Sequence, residues 1–113
     1  MSKKKIVIEP DPILRKKSAP LDTVDDNLRK LMDDMLDTMY HANGIGLAAI
    51  QIGVPKRIIV MDIQRKDQEK NPMYFVNPII KNKNKELSTY EEGCLSVPNQ
   101  FAEVDRPATC EVE

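Results

Sequence analysis

Gly44-Ile45-Gly46-Leu47-Ala48-Ala49-Ile50-Gln51-Ile52-Gly53 is the stretch on which the fold class turns. Its opening, Gly44-x-Gly46-x-x-Ala49, matches the glycine fingerprint of a dinucleotide-binding turn. That fingerprint requires a strand before it and a helix after it, because the pyrophosphate rests on a helix N-terminus. Here the order is wrong. Upstream, Leu28, Leu31, Met32, Met35, Leu36 and Met39 recur at steps of three and four, one apolar stripe on a helix expected over 24–41. Downstream, Gly53 and Pro55 stop any long helix. A doubly wound nucleotide fold is therefore excluded. What remains is a small-residue backbone segment against which something can pack or bind. Within its apolar run Gln51 is the isolated amide, and such a group must find a partner or serve a ligand.

Outward from this segment the pattern is a helix followed by strands. Thr23 with Asp26 forms a variant capping box, and Asp22, Asp25 and Asp26 put negative charge where the helix dipole favours it. Asn43-Gly44 supplies a left-handed C-cap, and the helical methionines read as core filler. Nearer the N-terminus, Asp11-Pro12 opens a short helix to about Lys17, ended by Ser18-Ala19-Pro20. After residue 55, residues 57–63 and 74–80 read as strands, the second interrupted by Pro78, with a charged loop at 64–72 between them. A turn at 82–85, a strand at 86–90 and two short strands at 102–106 and 107–113 follow. In the last, Ala108, Cys110 and Val112 alternate with Thr109, Glu111 and Glu113, which predicts a half-buried strand with Cys110 in the core. The fold expected is α+β, one amphipathic helix packed on antiparallel β-sheets.

Composition narrows the class further. The 113 residues make a single domain, 1–113, with 41% hydrophobic and 31% charged content suited to a globular chain. A formal net charge of -1 argues against nucleic-acid or membrane-surface binding. Lys3, Lys4 and Lys5 form a basic run that reads as a solvated terminus. The apolar stretches Ile6 to Ile8 and Ile58 to Met61 are too short for a signal peptide or a membrane span. Cys94 and Cys110 read as free thiols in a reducing compartment, the cytoplasm.

A second stretch carries chemistry: Glu91-Glu92-Gly93-Cys94-Leu95-Ser96-Val97-Pro98. Gly93 and Pro98 describe a stiff turn that presents one sulfur and the Leu95 amide in a set direction. Taken locally, Cys94 suits three roles: a small buried hydrophobe, a nucleophile or a soft-metal ligand.

The two stretches together resemble the first and second signatures of bacterial peptide deformylases: Gly44-Ile45-Gly46-Leu47-Ala48-Ala49-Ile50-Gln51, then Glu92-Gly93-Cys94-Leu95-Ser96. The likeness runs from Asp11-Pro12 to the last residue. It implies a hydrolase acting on the N-terminal formylmethionine of nascent polypeptides, near the ribosome, without reading nucleic acid directly. It also implies a divalent metal on Cys94, iron(II) first, with zinc or nickel as alternatives. By the same resemblance, Gln51 and the Leu95 backbone N–H form an oxyanion hole, Gly46 sets its backbone against the substrate, and Gly44, Ile45, Glu92 and Gly93 lie around the methionine pocket and metal site. The family's third signature, H-E-x-x-H on a C-terminal helix, supplies two further ligands and the base.

No such signature is present, and the only histidine is His41, placed where it can cap the helix end. The expectation is thus an incomplete domain lacking the C-terminal metal-binding helix, inactive and without metal on its own. Its uncovered sheet face should then invite self-association. Two alternatives belong to other classes: a short paralogue that binds nascent N-termini or a partner protein without hydrolysis, and a thiol enzyme pairing Cys94 with His41.

Overall fold

Asp25, rather than Thr23, starts the helix. In the computed structural model, which describes residues 3–64 and 69–113, its Oδ1 accepts from the Leu28 N–H at 2.8 Å. Helix α1 (Asp26–His41) ends as the sequence implies. Asn43 takes φ 59, while the Gly44 and Asn43 N–H groups return to the Met39 and Tyr40 carbonyls at 2.9 and 3.1 Å. These are the two bonds of a Schellman cap, with asparagine in its left-handed position. Asp11 accepts from the Ile13 N–H, but the turn it opens is a single 3-10 segment, Pro12–Arg15.

The apolar stripe of α1 packs on a three-stranded antiparallel sheet in the order β1 (Gly46–Ala48), β2 (Ile58–Met61), β3 (Met73–Val76). Period-two alternation sends Ile58 and Val60 of β2 inward, where they meet Met35, Met39 and Leu47, all essentially without exposed surface. The β1 segment, read from sequence only as small-residue backbone, is thus a strand paired Leu47 to Val60. A second sheet is the hairpin β4 (Leu87–Cys94) and β5 (Val97–Pro107). The cysteine stretch is therefore largely strand, and Cys94 is the last residue of β4 before a two-residue turn. Opposite the step from Gly93 to Cys94, pairing jumps from Phe101 to Val97, so Pro98, Asn99 and Gln100 bulge outward. Gly93 is required for a reason the sequence does not reveal. A Cβ there would stand 2.6 Å from the Phe101 ring, which lies across the glycine from the neighbouring strand.

Residues 107–113 do not form the expected half-buried strand. They run against 79–86 through backbone bonds such as Lys81 N–H to Glu111 O at 2.7 Å and Asn84 N–H to Thr109 O at 2.8 Å. Only the Ile80–Val112 bridge is regular, and Cys110 is exposed, not a core contact. Beside it lies an apolar groove of about 440 Å³ formed by Ile59, Met61, Phe75, Ile80 and Val112, on the face of the sheet away from α1. Part of the predicted charged loop, 65–68, lies outside the described residues.

Polar ties complete the frame. Asn77, at φ 53, mimics a paired strand: its Oδ1 accepts from Leu21 N–H at 2.9 Å and its Nδ2 donates to Leu21 O at 2.8 Å. Buried Asp62 accepts from the Tyr40 hydroxyl and from the Gln64 and Asn71 N–H groups. Burial, with the Asp62 contact second, pushes the Tyr40 hydroxyl up to about 12.

Met35→Ala should destabilise the chain by about 2–5 kcal/mol in a denaturant titration, because it opens a void in the core. Gly93→Ala should also destabilise, and the added substitution Phe101→Ala should recover part of the loss; equal losses with and without Phe101 would contradict the ring contact. The Tyr40 proton is retained in the folded state above its ordinary value of 10, so the stability it contributes is complete below that pH and lost as pH rises toward about 12. The denaturation midpoint of Tyr40→Phe should accordingly fall less than wild type between those limits.

Candidate functional site

The two sequence stretches meet through one carboxamide. Gln51 lies in the 3-10 turn Ala49–Ile52, closed by Gly53 at φ 83. Its Oε1 accepts from the Ala48 N–H at 3.0 Å, which sets the direction of the amide. Nε2 is then turned toward the β4–β5 hairpin, where Ser96 Oγ lies at 3.2 Å and Cys94 Sγ at 3.6 Å. Reversing the amide would press its NH₂ against the Ala48 donor.

The N-terminal segment holds the two stretches together from behind. Val7 N–H donates to Gln51 O at 2.6 Å, and two residues on, Glu9 N–H donates to Ser96 O at 2.8 Å. In extended backbone, residues two apart present N–H groups to the same side. One strap therefore spans both signatures. It is anchored to α1 by Lys4 N–H to Thr38 Oγ1 at 2.8 Å. A third contact joins the stretches directly: a Cβ on Gly44 would lie 2.7 Å from Leu95 Cδ1, so glycine is what allows Leu95 to pack there.

The result is a cleft of about 660 Å³ walled by Gly44, Ile45, Gly46, Gln51, Gly93, Cys94 and Leu95, seven of the eight residues singled out from sequence. The bulge of Pro98, Asn99 and Gln100 forms its rim, and Asn99 holds φ 63. Glu92, the eighth, borders a smaller adjoining recess with Gly93 and Cys94. Its carboxylate is taken by Arg106, with Nε to Oε2 at 2.6 Å and a second N–H to Oε1 at 2.8 Å. The Arg106 hydrogen bonds hold that carboxyl below its ordinary range.

Cys94 is exposed, so the reading of it as a small buried hydrophobe fails. His41 is exposed at the end of α1, with Nδ1 3.5 Å from Lys3 Nζ, and no described hydrogen bond joins it to Cys94. A Cys–His thiol centre thus has no geometric support. Sequence reasoning missed Ser96, which is 3% exposed, together with the strap residues Val7 and Glu9. A serine between apolar Leu95 and Val97 carried a faint signal. Backbone donors of the strap carried none.

The donor set bears on a metal. Among the described residues no three His, Cys, Asp or Glu side chains converge, and Cys94 offers a single sulfur. Catalytic sites normally take three protein ligands, so these residues by themselves do not fit such an ion. Nor is any helix of the described chain long and apolar enough to cross a membrane.

Comparison with known proteins agrees with this geometry. The peptide deformylase of Pelagibacter ubique (strain HTCC1062) is 68% identical over all 113 residues, which span 66% of that protein. That of Rhizobium meliloti (strain 1021) is 55% identical over the same residues, 65% of its length. The chain thus spans slightly less than two thirds of these curated relatives. Among solved structures, peptide deformylase from Ehrlichia chaffeensis in complex with actinonin superposes with a TM-score of 0.93 at 41% identity, over 99% of this chain and 67% of that one. The Thermotoga maritima peptide deformylase gives 0.91 at 38% identity, over 99% and 73%. The family model described as polypeptide deformylase matches residues 3–113, and the chain belongs to that family.

Proposed function

We propose that this chain binds and orients the formylated N-terminus of nascent polypeptides in the cytoplasm, as the cysteine- and amide-bearing part of a hydrolase that releases formate. The observation that carries the reading is the placement of the Gln51 amide beside the Cys94 sulfur, Nε2 to Sγ 3.6 Å, in one open cleft. Hydrolysis of a formamide builds negative charge on the formyl oxygen. Fixed N–H donors stabilise that charge without reorganising. Gln51 Nε2 and the Leu95 N–H are the donors assigned here. The exposed Ile45 side chain and the small-residue backbone at Gly44 and Gly46 give the methionine side chain and peptide a surface to lie against.

A divalent metal, iron(II) first among the candidates, would supply the lowered water pKa that such a hydrolysis needs. Cys94 would be one of its ligands. The other ligands and the general base are not among these 113 residues, so no hydrolytic step is derived for them alone. A single cysteine ligand favours a second reading, a module that captures formylated N-termini without cleaving them. The apolar groove beside Cys110 supports self-association as a further property of the isolated chain.

Calorimetry with N-formyl-Met-Ala and with Met-Ala tests the first proposal. Binding that prefers the formylated peptide is expected, and equal or absent binding of both would overturn it. Formate release at a full equivalent of metal would support the hydrolase, whereas binding without release would support the capture module. Where release occurs, Gln51→Ala should lower the rate by about 10²–10³. In a complete enzyme, Cys94→Ser should lose metal; retained metal would contradict its assignment as a ligand. Light scattering should show a mass rising above 12.9 kDa with concentration, and a constant monomer would exclude self-association.

A further inference from the structure

Ser96 lies in the turn between β4 and β5, with only 3% of its surface exposed. A buried hydroxyl there must be satisfied, and its partner is the Gln51 Nε2 at 3.2 Å. Its own backbone is pinned as well, since Ser96 O accepts from the Glu9 N–H at 2.8 Å. The Gln51 amide is held at its other end by the Ala48 N–H on Oε1, 3.0 Å away. A primary amide has two N–H donors. With Oε1 committed to Ala48 and one N–H committed to Ser96, the plane and direction of the second N–H are determined, and Nε2 stands 3.6 Å from the Cys94 sulfur.

We propose that Ser96 is a positioning residue: its buried hydroxyl takes one N–H of Gln51 and thereby aims the other at the Cys94 sulfur, on the cleft side, where a substrate carbonyl oxygen lying beside that sulfur can take it over. The aim of the amide stands on geometry alone; only the identity of what the second N–H meets rests on the functional reading above. Without the hydroxyl, the Ala48 bond is left as the side-chain hydrogen bond restraining the last torsion of Gln51, which is a soft one, and any rotation about it strains that bond.

The test uses the whole chain, labelled with ¹⁵N. In wild type the two Gln51 side-chain protons should be well separated, and one should show a nuclear Overhauser contact to the Ser96 β protons. Ser96→Ala should collapse them toward the values of a free glutamine while the backbone signals of β4 and β5 stay in place, and Ser96→Thr, which keeps the hydroxyl, should restore them. Unchanged Gln51 signals in Ser96→Ala would overturn the proposal. Should that variant not fold, absence of the contact in wild type would overturn it equally. Adding N-formyl-Met-Ala separates the two readings: a restrained amide that does not respond to the peptide supports the Ser96 role and removes the formyl-binding function. In any preparation that releases formate, Ser96→Ala should lower kcat by about 10²-fold with KM unchanged, the pattern of a misplaced transition-state contact. A raised KM at constant kcat would count against positioning.

Discussion

Two backbone hydrogen bonds from one extended strap, Val7 to Gln51 and Glu9 to Ser96, hold together parts of the chain that share no sheet. The helix and the first sheet form one layered body, and the β4–β5 hairpin is a separate ribbon. An isolated two-stranded ribbon is marginal in water. Its attachment near the turn is therefore what gives the cleft a defined shape. The Gly44–Leu95 contact and the Gln51–Ser96 bond reinforce the same junction from the cleft side.

That junction explains why particular small residues occur where they do. Gly44 is small because Leu95 lies on it, and Gly93 because Phe101 does. Neither is a left-handed glycine; the positive angles fall on Gly53 and on Asn43, Asn77 and Asn99. Each of these asparagines or glycines turns the chain at an element end or a bulge, where a side chain able to bond locally tolerates the strain. At Gly44 the smallness of the cleft wall is thus a packing requirement of one signature upon the other.

The electrostatics divide the same way. Glu92 is committed to Arg106 across the hairpin. Asp62 is committed to Tyr40 and to the loop amides after β2. Within the cleft the Gln51 amide is held by Ala48 and Ser96 with its Nε2 facing the exposed Cys94 sulfur. An arrangement of that kind suits a ligand whose carbonyl oxygen accepts a hydrogen bond, and it agrees with membership of the polypeptide deformylase family.

Periodicity alone made the helix, its buried face and the run of strands after it readable, because those features repeat at fixed local spacing. Leu28, Met32, Met35, Leu36 and Met39 are buried as their steps of three and four require. Two short motifs were enough to mark Gln51 and Cys94. Local pattern misled at 107–113, where regular alternation met no second layer to bury against, and Cys110 stays exposed. It also misplaced the helix cap by two residues, since Thr23 and Asp25 offer the same chemistry. What only the tertiary structure decided was the company each motif keeps: Ser96 against Gln51, Phe101 over Gly93, Leu95 over Gly44, and the strap behind them. Those contacts join residues from 8 to 87 positions apart along the chain, with no repeating interval to betray them, so they follow from how the layers close and not from any local rule.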